Sequence, residues 1–110
     1  MISQKRMSIV LRSLGISPSL KGFDYIMTAL TLIDENESYR YHTCDLYDKI
    51  AAVYNISRSK CERCMRVAAD AVFKNADYSV IKAVFRRLLK SKPTNSEFLA
   101  CLYEYLRYER

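Results

Sequence analysis

The sequence predicts an all-α fold, a compact six-helix domain containing a helix-turn-helix, and three observations carry that expectation. Glycine and proline number only two each in 110 residues, too few for the many turns a sheet protein needs. Apolar residues recur at the i, i+3, i+4 spacing of an amphipathic helix in segment after segment. Helix start and stop signals separate those segments. With 50% hydrophobic and 27% charged residues, the composition suits a folded globule rather than a disordered chain. The length suits one domain, residues 1–110, able to bury a core without disulfide or metal staples.

The first helix is expected over about Ser3 to Leu14, with Met7, Ile9, Val10 and Leu14 as its apolar stripe and Gly15 as its stop. Pro18 marks the connection to a second helix, from about Leu20 to Ile33, where Phe23, Ile26, Met27, Leu30 and Ile33 share a face. The acidic run Asp34-Glu35-Asn36-Glu37 ends it, with a short helical turn before Thr43. The third helix runs from Thr43 or Cys44 to Tyr54, with Thr43 as N-cap, Asp45 in the first turn, and Leu46, Tyr47, Ile50, Ala51 and Tyr54 facing inward. Asn55-Ile56-Ser57 forms a tight turn. Ser57 caps the fourth helix, which continues to about Lys74 over an inward row of Cys61, Cys64, Met65, Ala68 and Val72. The fifth covers about Tyr78 to Lys90 through Val80, Ile81, Val84, Phe85, Leu88 and Leu89. After Pro93, Thr94-Asn95-Ser96-Glu97 reads as a capping box. It opens a sixth helix that packs through Phe98, Leu99, Leu102 and Leu106 and ends near Arg110.

The net charge is +6 and the isoelectric point about 9.2, so polyanions are the natural partners. The longest apolar stretch, Tyr25 to Ile33, is nine residues broken by two threonines, too short to span a bilayer. No apolar signal region follows the basic N-terminal residues. A cytoplasmic protein with no membrane partner is therefore expected, and Cys44, Cys61, Cys64 and Cys101 are expected to be reduced thiols.

The third and fourth helices, about residues 43–74, are joined by three residues, and the second of them has a cationic outer face of Arg58, Ser59, Lys60, Glu62, Arg63, Arg66 and Val67. A helix of this kind fits the major groove of double-stranded DNA, with its N-terminal side chains reaching base edges. Its first backbone amides and Ser57 can approach a phosphate. Arginine and lysine donate to guanine, and glutamate accepts from cytosine. One acid among several bases suits base reading better than simple phosphate attraction. The plainer alternative is a solvated face of a helical protein.

Several stretches together resemble a known family: Leu14-Gly15-Ile16, then Lys21-Gly22-Phe23-Asp24-Tyr25, Leu46-Tyr47, Lys49-Ile50-Ala51, Tyr54-Asn55, Ser59-Lys60-Cys61-Glu62-Arg63 with Arg66, and Lys92-Pro93-Thr94-Asn95-Ser96-Glu97-Phe98. Across about residues 10–107 the chain is similar to the C-terminal DNA-binding effector domain of the stage-zero sporulation response regulator. The resemblance implies a six-helix transcriptional regulator that binds a short DNA box, usually as a tandem head-to-tail pair, and can engage RNA polymerase sigma factor. It places base reading on Lys60 and Glu62 and backbone contacts on Arg63 and Arg66; the reading of the helix face adds Arg58 to the base readers and Ser57 and Ser59 to the backbone contacts. Lys60 stands where the family has arginine, losing the planar fork, and Val67 stands where it has histidine. An altered site preference is therefore expected. The segment between Phe85 and Pro93 is shorter than in the family and lacks its Gly-Tyr, in the region the resemblance links to sigma-factor contact. A chain of this length has no room for the family's receiver domain. Control then falls to abundance or a partner if the chain is whole, and to the missing half if it is excised.

Lys82, Arg86, Arg87, Lys90 and Lys92 form a second basic stretch that can flank the DNA through phosphates, with Lys5, Arg6, Arg12 and Lys21 as further candidates. Cys61-x-x-Cys64 raises zinc or redox chemistry. A structural zinc needs four ligands, and no second pair accompanies this one, so core packing is favoured and no metal or cofactor is expected. His42, the single histidine, lacks a spaced nucleophile or carboxylate, so no enzyme is expected. Tyr103, Tyr105 and Tyr108 are candidates for a subunit contact. The runner-up function is a receiverless protein-interaction module that antagonises a full-length regulator or polymerase.

Overall fold

The computed structural model describes residues 1–85 and 92–108. Helix α1 (Gln4–Ser13) starts where the Ser3 hydroxyl accepts from the Arg6 backbone N–H at 3.0 Å, satisfying one of the orphan donors of a helix start. It ends at Gly15, whose φ of +86° is the left-handed stop that glycine takes without strain. Met7, Leu11 and Leu14 turn inward while Ile9 is exposed. Of the expected stripe, Met7, Val10 and Leu14 pack toward the core and Ile9 does not; Leu11, four residues after Met7 and three before Leu14, takes the inward place instead.

Helix α2 (Lys21–Glu35) is the central element, packed against α1, α3, α4 and α6. It buries Phe23, Tyr25, Ile26, Ala29, Leu30 and Ile33. A 3-10 turn over Glu37–Arg40 follows, with the Asn36 side chain accepting from the Ser38 N–H at 3.1 Å. This is the short turn anticipated before α3.

Helix α3 (Thr43–Tyr54) begins with Thr43 already helical and His42 in the cap position without a side-chain bond. Thr43 is therefore not the cap. Its inward residues are Leu46, Tyr47, Ile50 and Ala51. Tyr54, expected among them, stands at the edge, its ring 4.8 Å from that of Tyr25 and its hydroxyl 2.7 Å from the Thr28 hydroxyl. A tyrosine can bury its ring and keep its polar tip wet.

Helix α4 (Arg58–Asn75) crosses α2 at very close range. A Cβ added at Gly22 would stand 2.3 Å from the Cys64 carbonyl oxygen and 2.8 Å from the Ala68 Cβ, so only glycine permits this approach. Helix α5 (Tyr78–Val84) closes at Phe85, a C-cap rather than a helical residue. The expected continuation to Lys90 through Leu88 and Leu89 lies outside the described residues. Phe85 is buried against Phe98 and Phe73, with ring centroids 5.3 and 5.7 Å away. Helix α6 (Asn95–Tyr108) opens on a reciprocal capping box. The Glu97 carboxylate accepts from the Thr94 N–H at 2.9 Å, and the Thr94 hydroxyl accepts from the Glu97 N–H at 3.2 Å. The expected end near Arg110 lies outside the described residues. The described residues contain helices and no strand, so the fold is all-α, with a helix-turn-helix formed by α3 and α4.

Candidate nucleic-acid interface

The turn between α3 and α4 has no glycine, and Asn55 does the work. Its φ of 54° and ψ of 52° are left-handed, a conformation asparagine tolerates better than other non-glycine residues. The chain then bends so that the Ile56 N–H donates to the Ala51 carbonyl at 3.0 Å, and Ile56 packs against the core. Ser57 caps α4, its hydroxyl accepting from the Lys60 N–H at 3.1 Å.

The faces of α4 then follow from helical spacing. Cys61, Met65, Ala68, Ala69 and Val72 form the buried underside. At 100° per residue, Arg63 sits opposite that row, with Lys60, Val67 and Lys74 to one side and Ser59, Arg66 and Asp70 to the other. Arg63, Arg66, Ser57 and Ser59 are exposed, and Lys60 and Glu62 half-buried. Among the described residues Lys60 and Arg63 hold no ion pair, so their charges face solvent unneutralised. Arg66 reaches one turn back to Glu62 at 2.7 Å, an exposed pair of small energetic value.

Arg58 is used differently. Its guanidinium makes two parallel hydrogen bonds to Asp48 of α3, both at 2.7 Å, and these bonds hold the Asp48 carboxyl below the usual carboxylate range. Arg58, expected as a base reader, here lends its bidentate fork to Asp48, an exposed pair that struts α4 against α3.

A second brace comes from α6. Asn95, only 9% exposed, donates through its side-chain amide to the Glu62 carbonyl of α4 at 3.0 Å. Tyr47 of α3 lies at the same junction, where burial pushes its phenol up while hydrogen bonds from Asn95 and Ser96 work the other way. Tyr47, Glu62 and Asn95 thus tie α3, α4 and α6 together behind the exposed face. Asp48, Tyr47 and Asn95 are the positioning residues that sequence reading missed. The capping box was legible, but a side chain bonding to a helix 33 residues away leaves no local trace.

Among the flanking cations, Lys92 pairs with Asp70 of α4 at 3.0 Å and so stands beside the exposed face. Lys82 is exposed on α5. Arg86, Arg87 and Lys90 lie outside the described residues. Lys5 and Lys21 are exposed, whereas Arg6 donates to the Leu106 carbonyl and Arg12 to the Ser8 carbonyl at 3.3 Å.

Cys61 is fully buried, donates to the Met65 sulfur at 3.8 Å, and has its thiol pushed up to about 11 by desolvation and the neighbouring Cys64 and Glu62. Among the described residues no group of His, Cys, Asp and Glu is arranged to hold a metal ion. Tyr103 is buried, so the expected contact through it is corrected, while Tyr105 is half-buried and Tyr108 exposed. No described helix is long and apolar enough to cross a membrane.

Residues 7–106 match the family model for the C-terminal domain of the sporulation initiation factor Spo0A. The match runs from Met7 of α1 to Leu106 in the last turn of α6 and takes in the α3–turn–α4 unit and both of its braces. With nearly the whole chain covered, this protein belongs to the Spo0A C-terminal family, the DNA-binding effector domain of a sporulation regulator.

Proposed function

We propose that this domain is a sequence-specific regulator of transcription that lays α4 in the major groove of double-stranded DNA. The observation that carries the reading is the outward face of α4, where Lys60 and Arg63 stand unpaired above an apolar underside that fixes the helix against α2 and α3. Lys60 and Glu62 read base edges. Arg63, Arg66, Ser57 and Ser59 grip the sugar-phosphate backbone, and Lys82 and Lys92 add flanking phosphate contacts. Arg58 positions α4 through Asp48. Tandem head-to-tail occupancy of adjacent boxes and engagement of a sigma factor belong to the same proposal, supported by family membership. The site of action is then the chromosome, in the cytoplasm.

Selection of bound duplexes from a random-sequence pool, followed by gel-shift titration, tests the reading. The native protein is expected to recover one recurring motif. Lys60→Ala and Glu62→Ala are expected to change the preferred base at individual positions rather than weaken all sequences equally. Recovery of no motif, together with capture of a full-length sporulation regulator or polymerase that these variants abolish, would favour a protein-interaction module instead.

A further inference from the structure

Phosphate binding leaves Val67 unexplained. It is 53% exposed, the one large apolar side chain left exposed on α4. It follows Arg63 by four residues, which places it about 40° round the helix and about 6 Å along it from that cation. Valine contributes nothing to holding a phosphate, and its branched side chain is a poor helix former. A single exposed valine is ordinary on a protein surface. This one lies just to one side of the outermost line of a cationic helix, between Arg63 and Lys74 along its axis, within reach of the floor of a groove.

The major groove presents one apolar group among its base edges, the C5-methyl of thymine, and apolar side chains read it by direct contact. Resting on the placement of α4 in that groove, we infer that Val67 is a specificity-determining residue whose methyl groups pack against the C5-methyl of one thymine. Cytosine at that position offers no methyl, so the contact selects thymine. It works by burying apolar surface and is insensitive to salt, unlike the contacts of the arginines around it.

The test uses a duplex recovered by the native protein from a random-sequence pool. Each thymine is replaced in turn by deoxyuridine, which keeps the pairing edge and loses only the methyl. At one position the replacement is expected to weaken native binding about fourfold, the factor for burying one methyl-sized group. Val67→Ala is expected to bind the thymine and uracil forms equally, and Val67→Thr, which keeps one methyl, to retain part of the discrimination. Unchanged melting temperatures establish that both variants fold. If native protein and Val67→Ala respond alike to every replacement, the inference is overturned. If Arg63→Ala still lowers affinity in that same titration, DNA binding by α4 stands and only the thymine contact falls. Recovery of no duplex by the native protein overturns both.

Discussion

Arg40 and Arg107, near the C-terminal end of α6, are paired with acids of other elements or of α6 itself, whereas Lys60 and Arg63 on α4 hold no ion pair among the described residues. Arg40 is 15% exposed and pairs with Glu104 at 2.5 Å and Glu37 at 3.9 Å, with its guanidinium 5.5 Å from the Tyr103 ring centroid. Arg107 lies 3.7 Å from Asp34, a carboxylate that also accepts from the Tyr103 hydroxyl and from the Ile2 N–H. These arginines hold the 3-10 turn, α2 and α6 together. On α4 the cations have an apolar underside beneath them and solvent above. A net charge of +6 counts both sets alike. A cation that can turn to a phosphate releases counterions when it meets a polyanion, and the exposed pair with Glu62 holds Arg66 only weakly, so how firmly each cation is held, rather than charge count, locates the candidate interface.

Gly22→Ala should have the largest effect, because both regions depend on α2 standing still. The added Cβ meets backbone, which has little room to move, and about 2–3 kcal/mol of stability should be lost, read as a lower urea midpoint. A variant as stable as the native protein would deny the close crossing of α2 and α4. Arg40→Ala comes next. Removing this mostly buried arginine from its two half-exposed acids should cost about 1–2 kcal/mol while DNA affinity of the folded fraction stays the same. Arg63→Ala should do the reverse, leaving the melting temperature alone and weakening DNA binding about tenfold at physiological salt. If both arginine variants shift the same observable, the division between the two regions collapses.

A smaller effect concerns the Arg58–Asp48 strut. The folded-state pKa of Asp48 is depressed by Arg58. Its contribution to stability is therefore complete above the unfolded value of about 3.9 and is lost as pH falls through the lower folded value. A carboxyl titration followed by NMR should place the Asp48 midpoint below that of an ordinary aspartate, and a midpoint at or above it would remove the strut. Thiol labelling near pH 8 should show the least consequence for function. Exposed Cys44 should react first, and Cys61, buried with its thiol near 11, last. Early labelling of Cys61 would mean that the underside of α4 is open.

The order of the helices was legible because each carries its own spacing and its own signals. Ser57, Gly15 and the Thr94/Glu97 capping box act within a few residues, and each was found where its local chemistry placed it. In α1 the choice of Leu11 over Ile9 was not legible, because the two are equally apolar and packing against α2 decides between them. The outward face of α4 could be read from its period, but not the state of its charges. Arg58 and Arg63 look alike in sequence, and the difference lies in Asp48, ten residues earlier on another helix. Asn95 reads as part of a helix start, and its bond to the Glu62 carbonyl exists only once α6 has docked.

The most direct test of the whole account is the salt dependence of binding to the selected duplex. The logarithm of the association constant should fall linearly with the logarithm of salt concentration. Arg63→Ala and Arg66→Ala should each make that slope shallower by about one unit, while Arg40→Ala and Arg107→Ala leave it unchanged. An equal change in slope from all four variants, or from none, would contradict the claim that the outward face of α4, and not the region of Arg40 and Arg107, meets the DNA.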